Sequence, residues 1–280
     1  ILFAANVTVS ASGSMTLTAT GGNITGLGAL DLDAGEGITI NDDLTTNGDT
    51  DINSDTNTAG NGTLTLNNTT IDTQNSDLTL TLADLVLNGN SSLNAGTGTI
   101  AMVDSQNQGF GVGDGIIAGG INITGAELQT IFAASNLTLT TGGDFNVDNV
   151  SAANSDNIGG TVTFNAGGNI SFTNDSTFNA LDANADDGII INTAGSTLFT
   201  DTGALALEGD ADNSTVGGNQ TINAITIAAG VTLNSNTTLT LDATSGNMTA
   251  AGNLTLTANN GITINDSLTT NGDTILDADL

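Results

Sequence analysis

The chain has 280 residues and a formal charge of −30, with 30 Asp and Glu set against no Lys, Arg or His. Soluble domains carry about 25% charged residues of both signs, so the missing cations exclude electrostatic docking on nucleic-acid phosphate, argue against docking on anionic lipid, and leave trypsin-like proteases no site. The absence of Cys excludes disulfide and thiolate chemistry.

The first recurrent pattern along the chain has period two. Met15-Thr16-Leu17-Thr18, Leu64-Thr65-Leu66, Leu78-Thr79-Leu80-Thr81-Leu82, Leu137-Thr138-Leu139-Thr140, Val162-Thr163-Phe164 and Leu254-Thr255-Leu256-Thr257 alternate apolar with polar. Each predicts a short strand with one buried face and one wet face. Turn residues follow, as at Gly21-Gly22-Asn23, Gly142-Gly143-Asp144, Gly167-Gly168-Asn169 and Asn259-Asn260-Gly261. Second strands follow at Ile38/Ile40, Phe145/Val147, Ile170/Phe172 and Ile262/Ile264, and weaker third ones at Leu268 and Ile275. Three short strands in roughly 20–25 residues, with links too brief for helical crossovers, predict an all-β chain coiled as a right-handed parallel β-helix. At about 21 residues per coil and about 4.8 Å per step, the chain forms roughly 13 coils, a rod near 60 Å. The absence of Pro suits a backbone that is nearly all hydrogen-bonded ladder. No run approaches the ~18 apolar residues that span a membrane, and no secretory signal opens at Ile1.

Residues 104–136 break the pattern. Gly109-Phe110-Gly111-Val112-Gly113-Asp114-Gly115 reads as turn backbone, and it lacks the Gly-Lys-Ser/Thr ending of a phosphate loop. Thr124 and Glu127 have capping-box spacing, so a short helical turn is expected there, covering a loop and packed by Phe132. At residue 225 the chain restarts: residues 225–280 match 1–56 at an offset of 224, with 30 of 56 positions identical. Gly37-Ile38-Thr39-Ile40-Asn41-Asp42 returns as Gly261-Ile262-Thr263-Ile264-Asn265-Asp266. Residues 1–224 therefore read as one tandem unit, decorated at 104–136, and 225–280 as the start of the next copy. The expected advance per unit is about ten coils, about 50 Å.

Only carboxylates, hydroxyls and amides remain for chemistry, and Trp and Tyr are absent. No catalytic residue is assigned. A carbohydrate-active carboxylate pair lacks the aromatic platforms and cations such sites use. Three runs place hard oxygen ligands on alternate residues, the chemistry calcium takes: Asp49, Asp51, Asn53 and Asp55; Asp182, Asn184 and Asp186; Asp210 and Asp212 after Glu208. Calcium is the candidate cofactor, held at such a run or diffusely along the acidic rod. The rival reading gives these Asp and Asn to turns and solubility. The Thr-x-Thr strands raise ice binding as a further reading, although outward Thr is ordinary in strands. There are 17 Asn-x-Ser/Thr sequons, among them Asn6, Asn23, Asn136, Asn169, Asn247, Asn253 and Asn265. They are glycan acceptors or simply the grammar of the turns.

The phrase Leu-Thr-Leu-Thr-Ala, then Gly-Gly-Asn-Ile, then Leu-Thr-Thr resembles the repeats of filamentous-haemagglutinin-like large exoproteins of bacteria. So does Ile123-Thr124-Gly125-Ala126-Glu127-Leu128-Gln129 followed by Ala134-Ser135-Asn136-Leu137-Thr138-Leu139. The resemblance implies a right-handed parallel β-helix exported by two-partner secretion to the cell surface, with roles in adhesion, matrix or filament building. The expected function is a structural extracellular rod that partners itself head to tail or laterally. The alternative is an adhesin that meets glycans or other cell surfaces through 104–136. No nucleic-acid partner and no membrane insertion are expected of this segment.

Overall fold

The computed structural model describes residues 1–213 and 223–280. The chain is a β-solenoid of about 12 turns, about 23 residues per turn and 3% helical. Among the described residues strand pairing is parallel, for example Leu78↔Ile100 and Leu139↔Phe164. One sheet of 11 strands runs from Val7–Ala11 through Leu78–Leu82, Ile100–Asp104, Leu137–Thr141 and Ala180–Ala185 to Ile262–Ile264. It forms the long face of a three-sided coil. The strand before it in each coil belongs to a first face, built by a six-stranded sheet and then a five-stranded one. The strand after it belongs to a third face, built by a four-stranded and then an eight-stranded sheet.

Alternation in the sequence becomes in–out alternation in the wall. In Leu78–Leu82 the three Leu are fully buried and the two Thr half-buried. The inward Leu, Ile and Val stack coil on coil into one core, and each contributes about 1.5–3 kcal/mol by leaving water. Aromatic rings join this core midway along the rod. Phe110, Phe145 and Phe164 stack at centroid distances of 5.3 and 5.0 Å, and Phe178 meets Phe164 edge-on at 5.8 Å.

The corners are held by short polar side chains. Thr46 and Thr50 share a hydroxyl hydrogen bond of 2.6 Å across the Asn47-Gly48-Asp49 turn, and Thr270 and Thr274 repeat it at 2.8 Å. The Asp42 carboxylate accepts from the Ala19 N–H, and Asp266 does the same for Ala243. Gly37 and Gly261 both sit at positive φ, +108° and +125°, where an L side chain is strained. Asn6 (φ 58°) has Gly230 (φ 77°) as its counterpart. What the second copy keeps is thus core and corner.

The segment 104–136 differs from its expectation. The helical turn is present as Gly125–Leu128, with Thr124 as N-cap and a complete Thr124–Glu127 capping box. The Gly-rich run, however, is a buried strand, Phe110–Gly113. Phe110 and Val112 point into the core, and a Cβ on Gly111 would lie 2.3 Å from the Asn122 side chain and 2.4 Å from the Gly115 carbonyl. Glycine here permits close stacking of a covering loop. A further strand, Ile121–Thr124, pairs with it. Phe132 does not pack the helix: it is 40% exposed on the strand Ile131–Ala133, whose buried residues are Ile131 and Ala133. Period two wins over helical spacing at that position. A second helical turn, Ala152–Ser155, is tied to the first by Asn154 Nδ2 donating to the Gly125 carbonyl at 2.9 Å.

Candidate functional site

The acidic surface is set by which coils lie side by side. Asp51 and Asn53 project outward from Thr50–Asn53, while Asp49 lies in the turn before it and Asp55 is buried at the corner after it. Asp49 Oδ1 accepts from the Asp77 N–H at 3.2 Å. Asp55 Oδ2 accepts from Ser105 Oγ at 2.6 Å and from Gln106 Nε2. Asn53 Oδ1 caps the Asp55 N–H. The four residues of this first run therefore do not share one site. Asp51 instead lies in register with Asp31 of the preceding coil, and Asn53 with Asp33. Partial burial, then the charges of Asp31 and Asp33, push the Asp51 carboxyl above the ordinary carboxylate range.

The second and third runs come together. Asn184 is in register with Glu208, and Glu208 with Asp242 of the next coil. Partial burial raises the Glu208 carboxyl, although the Asp210 N–H donates to it, and the charges of Asp242, Asp210 and Asp266 add to the rise. Asp186 is raised by partial burial and then by Asp212, Asp187 and Asp210. Asp242 runs the other way. Burial opposes its charge, but hydrogen bonds from the Asn265 amide and the Thr244 hydroxyl outweigh that and hold its carboxyl below the usual range. The result is an acidic ridge over Asp186, Glu208, Asp212, Asp242 and Asp266. Asp182 stands apart, between Thr163 and Ala206.

Asp210 is fully buried beneath the ridge, accepting from Asn223 Nδ2 at 2.8 Å and from the Ser245 N–H at 2.6 Å. Asp104 is a third buried carboxylate, after Asp55 and Asp210, accepting from Gln106, Gly109 and Thr141 at 2.8–2.9 Å. Sequence reasoning passed over Asp104, although the alternation Ile100, Met102, Asp104 places it inward. Among the described residues no three carboxylates converge closely enough to hold a metal ion.

Six of the seven named sequon asparagines lie in the links between strands, and Asn169 opens the strand Asn169–Phe172. Asn6, Asn23, Asn136, Asn253 and Asn265 are exposed, and Asn169 and Asn247 half-buried. Several already cap the backbone of a neighbouring coil: Asn136 Oδ1 accepts from the Thr161 N–H and Asn253 Oδ1 from the Asp273 N–H, both at 2.9 Å. Asn265 Nδ2 donates to Asp242 at 2.6 Å. Elsewhere asparagines ladder along the rod, Asn88 donating to Asn67 and Asn67 to Asn41. The Thr-x-Thr pairs are divided among faces. Thr79/Thr81 and Thr138/Thr140 share the long sheet with Ala101 and Val103 between them, while Thr16 lies on the third face and Thr255 on the first.

A hollow of about 490 Å³ lies beside Phe132, lined by Asn75, Thr97, Asp156 and Asn157. No protein-family model, curated protein or solved structure matches the chain.

Proposed function

We propose that this chain is a stalk or filament segment of a large tandem-repeat protein at the cell surface, and that its work is mechanical rather than catalytic. One observation carries the reading: the second copy keeps the inward aliphatics, the corner hydroxyl pair and the positive-φ turns at Asn6 and Gly37, while Asp31 and Asp51 become Thr255 and Ile275. Selection that preserves wall and corner but lets the surface drift favours a scaffold. The backbone ladder resists bending and the acidic coat keeps rods apart. Divalent ions, calcium first, gather along the ridge without a dedicated cage and stabilise the rod or bundle it. The resemblance to filamentous-haemagglutinin-like exoproteins supports the extracellular setting. Low-dose imaging of the native assembly tests the reading. A rod of constant width is expected, and a compact globule overturns it.

A second reading rests on the hollow beside Phe132. An exposed aromatic ring flanked by amides and a carboxylate is chemistry that fits a sugar, so the adhesin alternative locates its contact there. A glycan array separates the two: specific hits lost in Phe132→Ala favour the adhesin, and a blank array favours the plain stalk.

A further inference from the structure

The two copies have matching strands but not matching faces. At an offset of 224, Val7–Ala11 falls on Val231–Ser235, Leu30–Ala34 on Leu254–Ala258, and Thr50–Asn53 on Thr274–Asp277. The first member of each pair lies in the long sheet, and the second lies in the five-stranded sheet of the first face. Ile38–Ile40 of the third face returns as Ile262–Ile264, the last strand of the long sheet. Leu44–Thr46 of the first face returns as Leu268–Thr270 on the third. All three faces shift in the same sense. Counting strands along the coil, 224 residues therefore advance the rod by eight and two-thirds coils, not the expected ten.

A second asymmetry bears on this. Between Leu78–Leu82 and Leu137–Thr141 the long sheet has one strand, Ile100–Asp104. Between Asp84–Asn88 and Phe145–Asp148, over the same two coils, the third face has two. Ile121–Thr124 packs against Asp84–Asn88, and Phe110–Gly113 pairs with Phe145–Asp148. One face of this unit is thus longer by a rung, about 4.8 Å. Repeated on a fixed face, that surplus would curve the rod steadily to one side.

We propose that further copies of this unit stack in the same chain with a one-third-turn phase, so that the extra rung and its covering loop fall on each face in turn. Three copies, 26 coils, return the surface to its starting face and cancel the wedge. The array is straight, and it offers the decorated segment in three directions. The corners allow this because they are interchangeable. The Thr46–Thr50 pair bridges the first and long faces, and the equivalent Thr270–Thr274 pair bridges the third face and the first.

This inference rests on the tandem-rod reading, and its test separates the two. The 280-residue chain is extended in phase by residues 57–280 twice over and imaged with averaging along the axis. A straight rod with a rise of about 42 Å per unit and a rotation of one third of a turn is expected. A straight or curved rod whose units share one azimuth overturns the phase while leaving the rod, and particles that are not rods overturn both. The 280-residue chain gives an independent measurement. Spin labels on Thr163→Cys and Thr263→Cys lie four rungs apart on one column of the long sheet, about 19 Å between backbones. A markedly longer distance would put Thr263 on the face of its counterpart Thr39 and end the proposal.

Discussion

Phe145→Ala is the sharpest test of the packing. The ring is buried (1% exposed) and lies between Phe110 and Phe164, at 5.3 and 5.0 Å. Truncating a buried Phe costs about 3–5 kcal/mol, transfer plus cavity. Two ring contacts, each about 0.5–1.5 kcal/mol beyond area burial, place this site in the upper part of that range, about 4–5 kcal/mol. Collapse cannot recover much, because the backbone around the void is fixed by ladders on both edges, to Phe110–Gly113 and Asn169–Phe172. Urea unfolding followed by circular dichroism measures the loss, with Phe132→Ala as control. Phe132 is 40% exposed and should cost about 1 kcal/mol or less. Each coil touches only its neighbours, so hydrogen exchange should quicken in strands near Phe145 and stay slow at Leu64–Leu66. A cost at Phe145 below about 2 kcal/mol, or equal to that at Phe132, would refute the stacked-core account.

Asp104→Ala should cost about 3 kcal/mol, since it strands the Gly109 N–H and the Thr141 hydroxyl in a buried corner; urea unfolding with a loss under about 1 kcal/mol would count against that role. The raised carboxyls of Asp51, Glu208 and Asp186 bind protons more readily folded than unfolded. Stability from them rises as pH falls from neutral towards the ordinary carboxylate value of about 4. Asp242, held low, works in the opposite direction. The net expectation is a higher Tm at mildly acidic than at neutral pH in low salt, flattened by salt, and a Tm that drops throughout acidification would contradict it. Millimolar calcium or magnesium should raise Tm or light scattering and chelator should reverse the change; indifference to both would remove the cation role.

The strands were legible because alternation is local. Leu78 to Leu82 and Val162 to Phe164 declare both their extension and their buried side with no knowledge of neighbours. The capping box at Thr124 and Glu127 was legible for the same reason. Register between coils was not, since it depends on how many residues each corner consumes. The acidic runs were therefore read along the chain, whereas the neighbours that matter lie across it: Asp51 beside Asp31, Glu208 beside Asp242. The Gly-rich run misled in another way. Glycine at Gly111 serves close approach within a wall, and composition alone does not separate that from a turn. Phe132 fell in a stretch short enough to satisfy helical spacing and alternation together.

The side-chain caps at the corners span unequal lengths of chain. Asp49 reaches Asp77 over 28 residues, Asp77 reaches Thr99 over 22, Asn136 reaches Thr161 over 25, and Asn253 reaches Asp273 over 20. The bond is kept while the loop between its ends lengthens or shortens. Insertions and deletions are thus neutral to the ladder wherever they fall just outside a cap, and lengthening a flexible loop costs little in entropy. A lineage built on this plan can lengthen one corner into a recognition loop without renegotiating the coil above or below it. Novelty enters sideways, through the outline of a coil, and the axis registers it only where the insertion adds a rung of its own, as Ile121–Thr124 does.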